Sequence, residues 1–234
     1  WSTVTSSILN SKANLIAAAG VNINVSGIIM KDVSGSGGAD FSALNSVNNG
    51  NNLGWTFPAY IGQNLYWVGG SGNWNDKAHW SQKSGEIGGY CVPGPADNTF
   101  FDSGSGFTPS NKTVSVDNIS YTHNITFSGS TISPTLTQIG NQTLNIYGSS
   151  EWQAGMGIIA VTNIYYRHTN ESKTIKSNGV ITGGMMLYFE EESSISLLDD
   201  FQTDRQFEQQ AGTWNTNNHK VTIGGFFYAS NGNK

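Results

Sequence analysis

The chain has 234 residues, a formal net charge of −5 from 11 Lys+Arg and 16 Asp+Glu, and only 12% charged residues, about half the ~25% usual for a soluble globular domain. With few cations and no basic stripe it is not built to hold nucleic acid, and no run of about 18 apolar residues is present to cross a membrane as a helix. Its 12% aromatic content is too high for a disordered chain, and its polarity comes instead from Asn, Ser, Thr and 29 Gly, residues that suit turn-rich β structure because Asn and Gly accept positive φ.

Residues 1–57 read as β. Trp1-Ser2-Thr3 looks like a start within a longer protein, so targeting signals are expected elsewhere. Val21, Ile23 and Val25 alternate with Asn22 and Asn24, the period-2 pattern of a strand with one buried face. Ile28, Ile29 and Met30 form a short apolar run, Ser34 to Asp40 and Asn48 to Gly54 read as turns, and Trp55 and Phe57 alternate again before Pro58 halts the strand. A helix over Ser6 to Ala19 is the competing reading there, with only partial helical spacing of Ile8, Leu9, Leu15 and Ile16. Residues 58–65 read as a linker.

Residues 66–102 form a Trp/Gly-rich block that runs from Tyr66-Trp67-Val68-Gly69-Gly70-Ser71-Gly72-Asn73-Trp74 through Trp80 to Cys91-Val92-Pro93. Residues 103–234 return to short strands, now with columns at a step of about 20: Ile181, Phe201 and Val221; Leu187, Phe207 and Phe227; Ile175 and Ile195, with Trp214 one residue short of the next step. Upstream the step loosens, from Ile125 to Ile146 and from Ile146 to Ile164. Three strands of ~4–5 residues joined by short turns fill one coil of a parallel β-solenoid, and coils stack at ~4.8 Å. The fold expected is therefore all-β, a right-handed parallel β-helix in two modules, with an antiparallel sandwich as the competing architecture. Because an open coil end exposes unpaired backbone groups, the block 66–102 is expected to cap the module that follows. Trp67, Trp74 and Trp80 would seal its core, and Cys91, the only cysteine, would be a small buried hydrophobe. A sugar-stacking platform is the competing reading of these tryptophans.

Catalysis finds little support in the residue pattern. Paired carboxylates for sugar hydrolysis would have to come from Glu190, Glu191, Glu192, Asp199 and Asp200, which read more simply as a solvated acidic turn, and Arg205 and Lys220 stand near them without a motif. His79, His123, His168 and His219 lack paired metal-ligand spacing; Asp97 and Asp102 flank a turn and are the thin candidates for calcium. No cofactor is implied. The candidate ligand-binding aromatics are Trp152, Tyr165 and Tyr166, among a wider set of exposed candidates that includes Tyr121 and Tyr188.

The run 66–76, with His79-Trp80-Ser81, Gly89-Tyr90-Cys91-Val92-Pro93 and Asp97-Asn98-Thr99-Phe100-Phe101-Asp102, resembles a recurrent segment of giant surface proteins of the Bacteroidota, the SprB-like gliding-motility adhesins exported by the type IX secretion system. Gly37-Gly38-Ala39-Asp40-Phe41-Ser42-Ala43-Leu44-Asn45-Ser46 through Gly50-Asn51-Asn52-Leu53-Gly54-Trp55 is similar to the closing segment of such repeats, and Leu198-Asp199-Asp200-Phe201 with Ala211-Gly212-Thr213-Trp214-Asn215-Thr216-Asn217 to their coils. The resemblance implies a secreted cell-surface filament segment without catalytic role. Its implied partners are the secretion and gliding machinery, with surface glycans or solid substrata as adhesive targets. In a bacterial source, the six N-x-S/T sequons, at Asn24, Asn111, Asn118, Asn124, Asn141 and Asn170, are expected to be unmodified. The alternative function is a carbohydrate-binding or polysaccharide-degrading β-helix.

Overall fold

A computed structural model describes residues 2–8, 10–58, 62–158, 163–167, 172–183, 185–187, 194–209 and 212–229, of which 185–187 are described by their backbone alone. The chain divides into two compact units, Trp1–Ile61 and Gly62–Lys234. The division falls within the stretch 58–65, but Asn64 and Leu65 already belong to a strand, Asn64–Trp67.

The first unit is a short parallel solenoid with three lateral faces. Ser2–Thr5, Ile28–Lys31 and Val47–Asn48 stack on one face, Ala13–Ile16 and Val33–Ser36 on the second, and Asn22–Ser26, Asp40–Leu44 and Trp55–Thr56 on the third. Ile28, Met30, Val33 and Ala43 form its core, with Val25, Trp55 and Phe57 packed against it. The β reading of this unit holds, and the competing helix over Ser6 to Ala19 gives way to a strand at Ala13–Ile16, each of whose residues pairs one coil on with Val33–Ser36. One expectation is corrected here. That same ladder makes a strand of Val33–Ser36, where Gly and Ser propensity reads as turn; neighbouring backbone outweighs local preference. The turn is confined to Gly37 and Gly38, at φ 93° and 90°, where the positive φ lets the chain round the corner without a Cβ penalty.

The second unit repeats the plan on a larger scale. A long sheet of eight strands runs, in spatial order, through Trp80–Ser81, Asn64–Trp67, Asn98–Phe101, Ile125–Phe127, Ser150–Glu151, Ser172–Lys176, Ser194–Leu197 and Thr213–Asn215. A six-stranded sheet from Ser120–Thr122 to Phe227–Ala229 forms the second face. The third face consists of a four-stranded sheet that starts at Gly72–Asn73 and a three-stranded one that starts at Ile181–Thr182. Among the described strand pairs only Trp80–Ser81 against Tyr66–Trp67 is antiparallel; all the others are parallel. The architecture is an all-β parallel solenoid, and the sandwich is excluded.

The pairing refines the predicted columns. Phe201 stands beside Val221, Phe207 beside Phe227, and Ile195 beside Trp214. Other columns are off by one or two residues. Ile181 pairs with Gln202, Leu187 with Gln209, and Ile175 with Leu197 rather than Ile195. Upstream, Ile125 meets Ser150, Leu144 meets Ile164, and Ile146 meets Tyr166. The reason is corner length: backbone partners lie one coil apart whatever the loop between them, so the step follows the turns. Along the long sheet it falls from 34 to 26, 25 and 22 residues.

Candidate functional site

The N-terminal end of the second unit is built around the Trp/Gly-rich block. Trp67, Trp74 and Trp80 are each 0% exposed. Trp80 packs edge-on against Trp67 and against Trp74, with ring centroids 5.1 Å apart in both pairs, and its Nε1 donates to the Trp74 carbonyl at 2.7 Å. Trp67 Nε1 donates to the Gly70 carbonyl at 2.6 Å. His79 stacks on Trp67 at 4.7 Å, and its Nδ1 donates to the Val68 carbonyl at 2.8 Å, since a carbonyl can only accept. Gly72 is required beneath that imidazole: a Cβ there would lie 2.0 Å from His79 Nε2. The short antiparallel strand Trp80–Ser81 lies at the edge of the long sheet, a placement that blunts an open ladder. None of the three indoles has a face open to a sugar.

Cys91 corrects its expectation. It is exposed rather than packed among the tryptophans, because Gly89-Tyr90-Cys91 lies outside the strands on the surface. Partial burial, then the charge of Asp97, raise its thiol above the ordinary value.

Of the three candidate ligand-binding aromatics, two face inward. Trp152 and Tyr166 are both 0% exposed. Tyr166 bonds Ser150 through its hydroxyl, and burial pushes its phenol far above the ordinary value. Alternation decides this, since neighbouring residues in a strand point to opposite sides: Tyr166 enters the core, and Tyr165 stays half-buried on the outside with the Arg167 guanidinium 4.8 Å from its ring centre. Tyr121 lies on the outer side of the same sheet, half-buried. Tyr188 and Glu190, Glu191 and Glu192 lie outside the described residues.

The candidate carboxylates among the described residues, Asp97, Asp102, Asp199 and Asp200, each accept from backbone amides. Asp97 is buried and accepts from the amides of Gln63 at 2.9 Å and Gly94 at 2.8 Å. Asp102 accepts from Gly104 N at 2.8 Å and Ser84 Oγ at 2.9 Å. Asp199 accepts from the amides of Ser177 and Asn178 in the preceding coil, at 2.7 and 2.5 Å. Asp200 accepts from Lys220 N at 3.0 Å in the coil that follows, with His219 Nδ1 at 3.6 Å. Among the described residues no three His, Cys, Asp or Glu side chains come together as a metal site.

Two features of the long sheet escape a period-20 reading. Inside, Trp67, Phe101, Phe127 and Trp152 form one aromatic column through four coils, with successive centroids 5.6, 4.0 and 5.6 Å apart. Outside, Asn98 Nδ2 donates to Asn64 Oδ1 at 3.0 Å, Asn124 Nδ2 to Asn98 Oδ1 at 2.8 Å, and Ser149 N to Asn124 Oδ1 at 2.7 Å, a ladder that ties each coil to the next. Both belong to one recurring tetrapeptide: Asn64-Leu65-Tyr66-Trp67, Asn98-Thr99-Phe100-Phe101, Asn124-Ile125-Thr126-Phe127 and Ser149-Ser150-Glu151-Trp152. A polar residue faces out and, three residues on, an aromatic faces in, and that signal is visible in the sequence when the step is left free. Beside the ladder lies a groove of about 280 Å³, lined by residues that include Asn98, Phe100, Thr126, Glu151 and Lys176.

Comparison with protein-family models, with curated proteins and with solved structures gives no match.

Proposed function

We propose that this chain is a structural and adhesive segment of a long secreted cell-surface protein of the SprB-like type, carried outside by type IX secretion. The observation that carries this reading is the way the second unit is held together. Backbone ladders, the Asn64–Asn98–Asn124 side-chain ladder and the Trp67–Phe101–Phe127–Trp152 column all run from coil to coil. Such bonding favours resistance along the stack, which a spacer or filament needs. Asp97, Asp102, Asp199 and Asp200 accept from backbone amides, so the reading assigns them no catalytic step. The residues of the block 66–102 and of the coil segments support the family-level part of the proposal by their resemblance.

The test is antibody raised against this chain, applied to intact and lysed cells of its source, together with deletion of the encoding gene. Staining of intact cells and reduced attachment to glass or to glycan-coated surfaces are the expected results. Staining only after lysis, or unchanged attachment, would overturn the proposal.

A further inference from the structure

The long sheet of the second unit carries two outward columns side by side. One is the polar ladder of Asn64, Asn98, Asn124 and Ser149. The other runs, by strand register, through Tyr66, Phe100, Thr126, Glu151 and Lys176. The groove of about 280 Å³ is lined by Asn98, Asn124 and Ser149 of the first column and by Phe100, Thr126, Glu151 and Lys176 of the second. We propose that this groove binds a neutral, extended polysaccharide laid along the stack of coils.

The aromatic end sets the first contact. Tyr66 and Phe100 are half-buried and stacked, centroids 5.1 Å apart and 22° from parallel. Tyr66 covers one face of Phe100. In the next coil the register places Thr126, a much smaller side chain, against Phe100, and the step down from phenylalanine to threonine opens the groove at the other face. A held, flat, apolar ring bordered by polar groups is what the C–H face of a pyranose packs on.

The polar column sets the direction. Asn98 Oδ1 accepts from the amide and Nδ2 of Asn124, and Asn98 Nδ2 spends one hydrogen on Asn64. A carboxamide has two N–H donors, so Asn98 and Asn124, which each spend one within the ladder, keep one for a hydroxyl. These donors recur once per coil, at ~4.8 Å, a rise comparable to the advance per sugar in an extended β-linked glycan. Successive sugars therefore meet successive coils at nearly the same offset.

Charge selects the class of glycan. The acid and the base that line the groove, Glu151 and Lys176, are paired with each other at 2.9 Å, with side chains 36% and 43% exposed. The hydrogen bond to Glu151, and then its charge, raise the Lys176 ammonium pKa. The pair presents donors and acceptors to hydroxyls but no net charge, so it fits a neutral chain and gives a polyuronate no counter-ion. This assignment deepens the adhesive part of the proposed function.

The test titrates the purified chain with cellohexaose, xylohexaose and mannohexaose, and with oligogalacturonate as the anionic comparison, followed by calorimetry and by amide NMR shifts. At least one neutral hexaose is expected to bind and to move the resonances of Phe100, Thr126, Glu151 and Lys176. Phe100→Ala should weaken that binding about tenfold, the scale of one stacking ring. Phe100→Leu, which keeps apolar packing on Tyr66 but removes the planar face, should show a similar loss and guards against a misfolded alanine variant. No binding by any neutral hexaose, binding that Phe100→Leu leaves intact, or tighter binding of oligogalacturonate would each overturn the proposal. So would self-association that moves the same resonances without sugar, which would make the occupant a second copy. Cells whose attachment depends on the gene while the groove ignores every hexaose would refute the groove and leave the adhesive function standing.

Discussion

Trp67, Trp74 and Trp80 are equally buried but unequally bonded, and that difference predicts which of them the cap can lose. Trp67 and Trp80 donate their indole N–H groups to the carbonyls of Gly70 and Trp74, whereas Trp74 Nε1 is buried without an acceptor. Replacing any of the three by Phe removes ~40–60 Å² of buried apolar surface, or about 1–1.5 kcal/mol at ~25 cal/mol per Å². At positions 67 and 80 the change also strands a buried carbonyl, which costs about 1–3 kcal/mol more. At position 74 it removes an unsatisfied donor and recovers a contribution of similar size. Trp67→Phe and Trp80→Phe should therefore destabilise the second unit by about 2–4 kcal/mol, while Trp74→Phe stays near neutral. Urea unfolding followed by far-ultraviolet circular dichroism measures the difference. Amide hydrogen exchange at Leu65–Trp67 and Thr99–Phe101 reads the capped coils directly, because stacked repeats need not unfold as one unit. Trp74→Phe as damaging as the other two, or a neutral Trp80→Phe, would refute the bonding argument.

Asn124→Ala breaks the side-chain ladder and leaves the Ser149 amide without its 2.7 Å acceptor, so it should cost about 1–3 kcal/mol. Asn141→Ala, at an exposed turn, should stay within about 0.5 kcal/mol; equal effects in the same unfolding assay would show that the ladder contributes nothing. Burial raises the Tyr166 phenol above the ordinary tyrosine value. The folded state thus favours the protonated form: stability is complete below about pH 10 and falls as pH rises beyond it, where the unfolded chain ionises first. Tyr166→Phe should flatten that alkaline decline, and urea midpoints that fall in parallel for both proteins would exclude Tyr166 as its source.

Fold class was legible in the chain because period-2 alternation and dense Asn/Gly turns leave few alternatives to short strands with tight corners. Part of the second unit's C-terminal columns was legible as well: Phe201 pairs with Val221 and Phe207 with Phe227 at the expected step, whereas Ile181 and Leu187 meet Gln202 and Gln209 instead. Nearer the N-terminus the step on the long sheet is longer and uneven, 34, then 26, then 25 residues. The tetrapeptide that recurs at Asn64, Asn98, Asn124 and Ser149 is present in the chain, but a fixed period passes over it.

What residue order by itself determined is a stacked all-β chain with a tryptophan-rich block at an internal boundary. What only the tertiary structure decided is which face each side chain takes. Trp152 follows Glu151, Tyr166 follows Tyr165, and Phe101 follows Phe100; in each pair one member enters the core and the other lines the surface. A shift of one residue exchanges them, and composition carries no information about that parity. The register is set by hydrogen bonds to the coils on either side, residues some 20 to 34 positions away. That is why two of the three candidate ligand-binding aromatics proved to be core, and why the groove beside Phe100 emerged only when the coils were stacked.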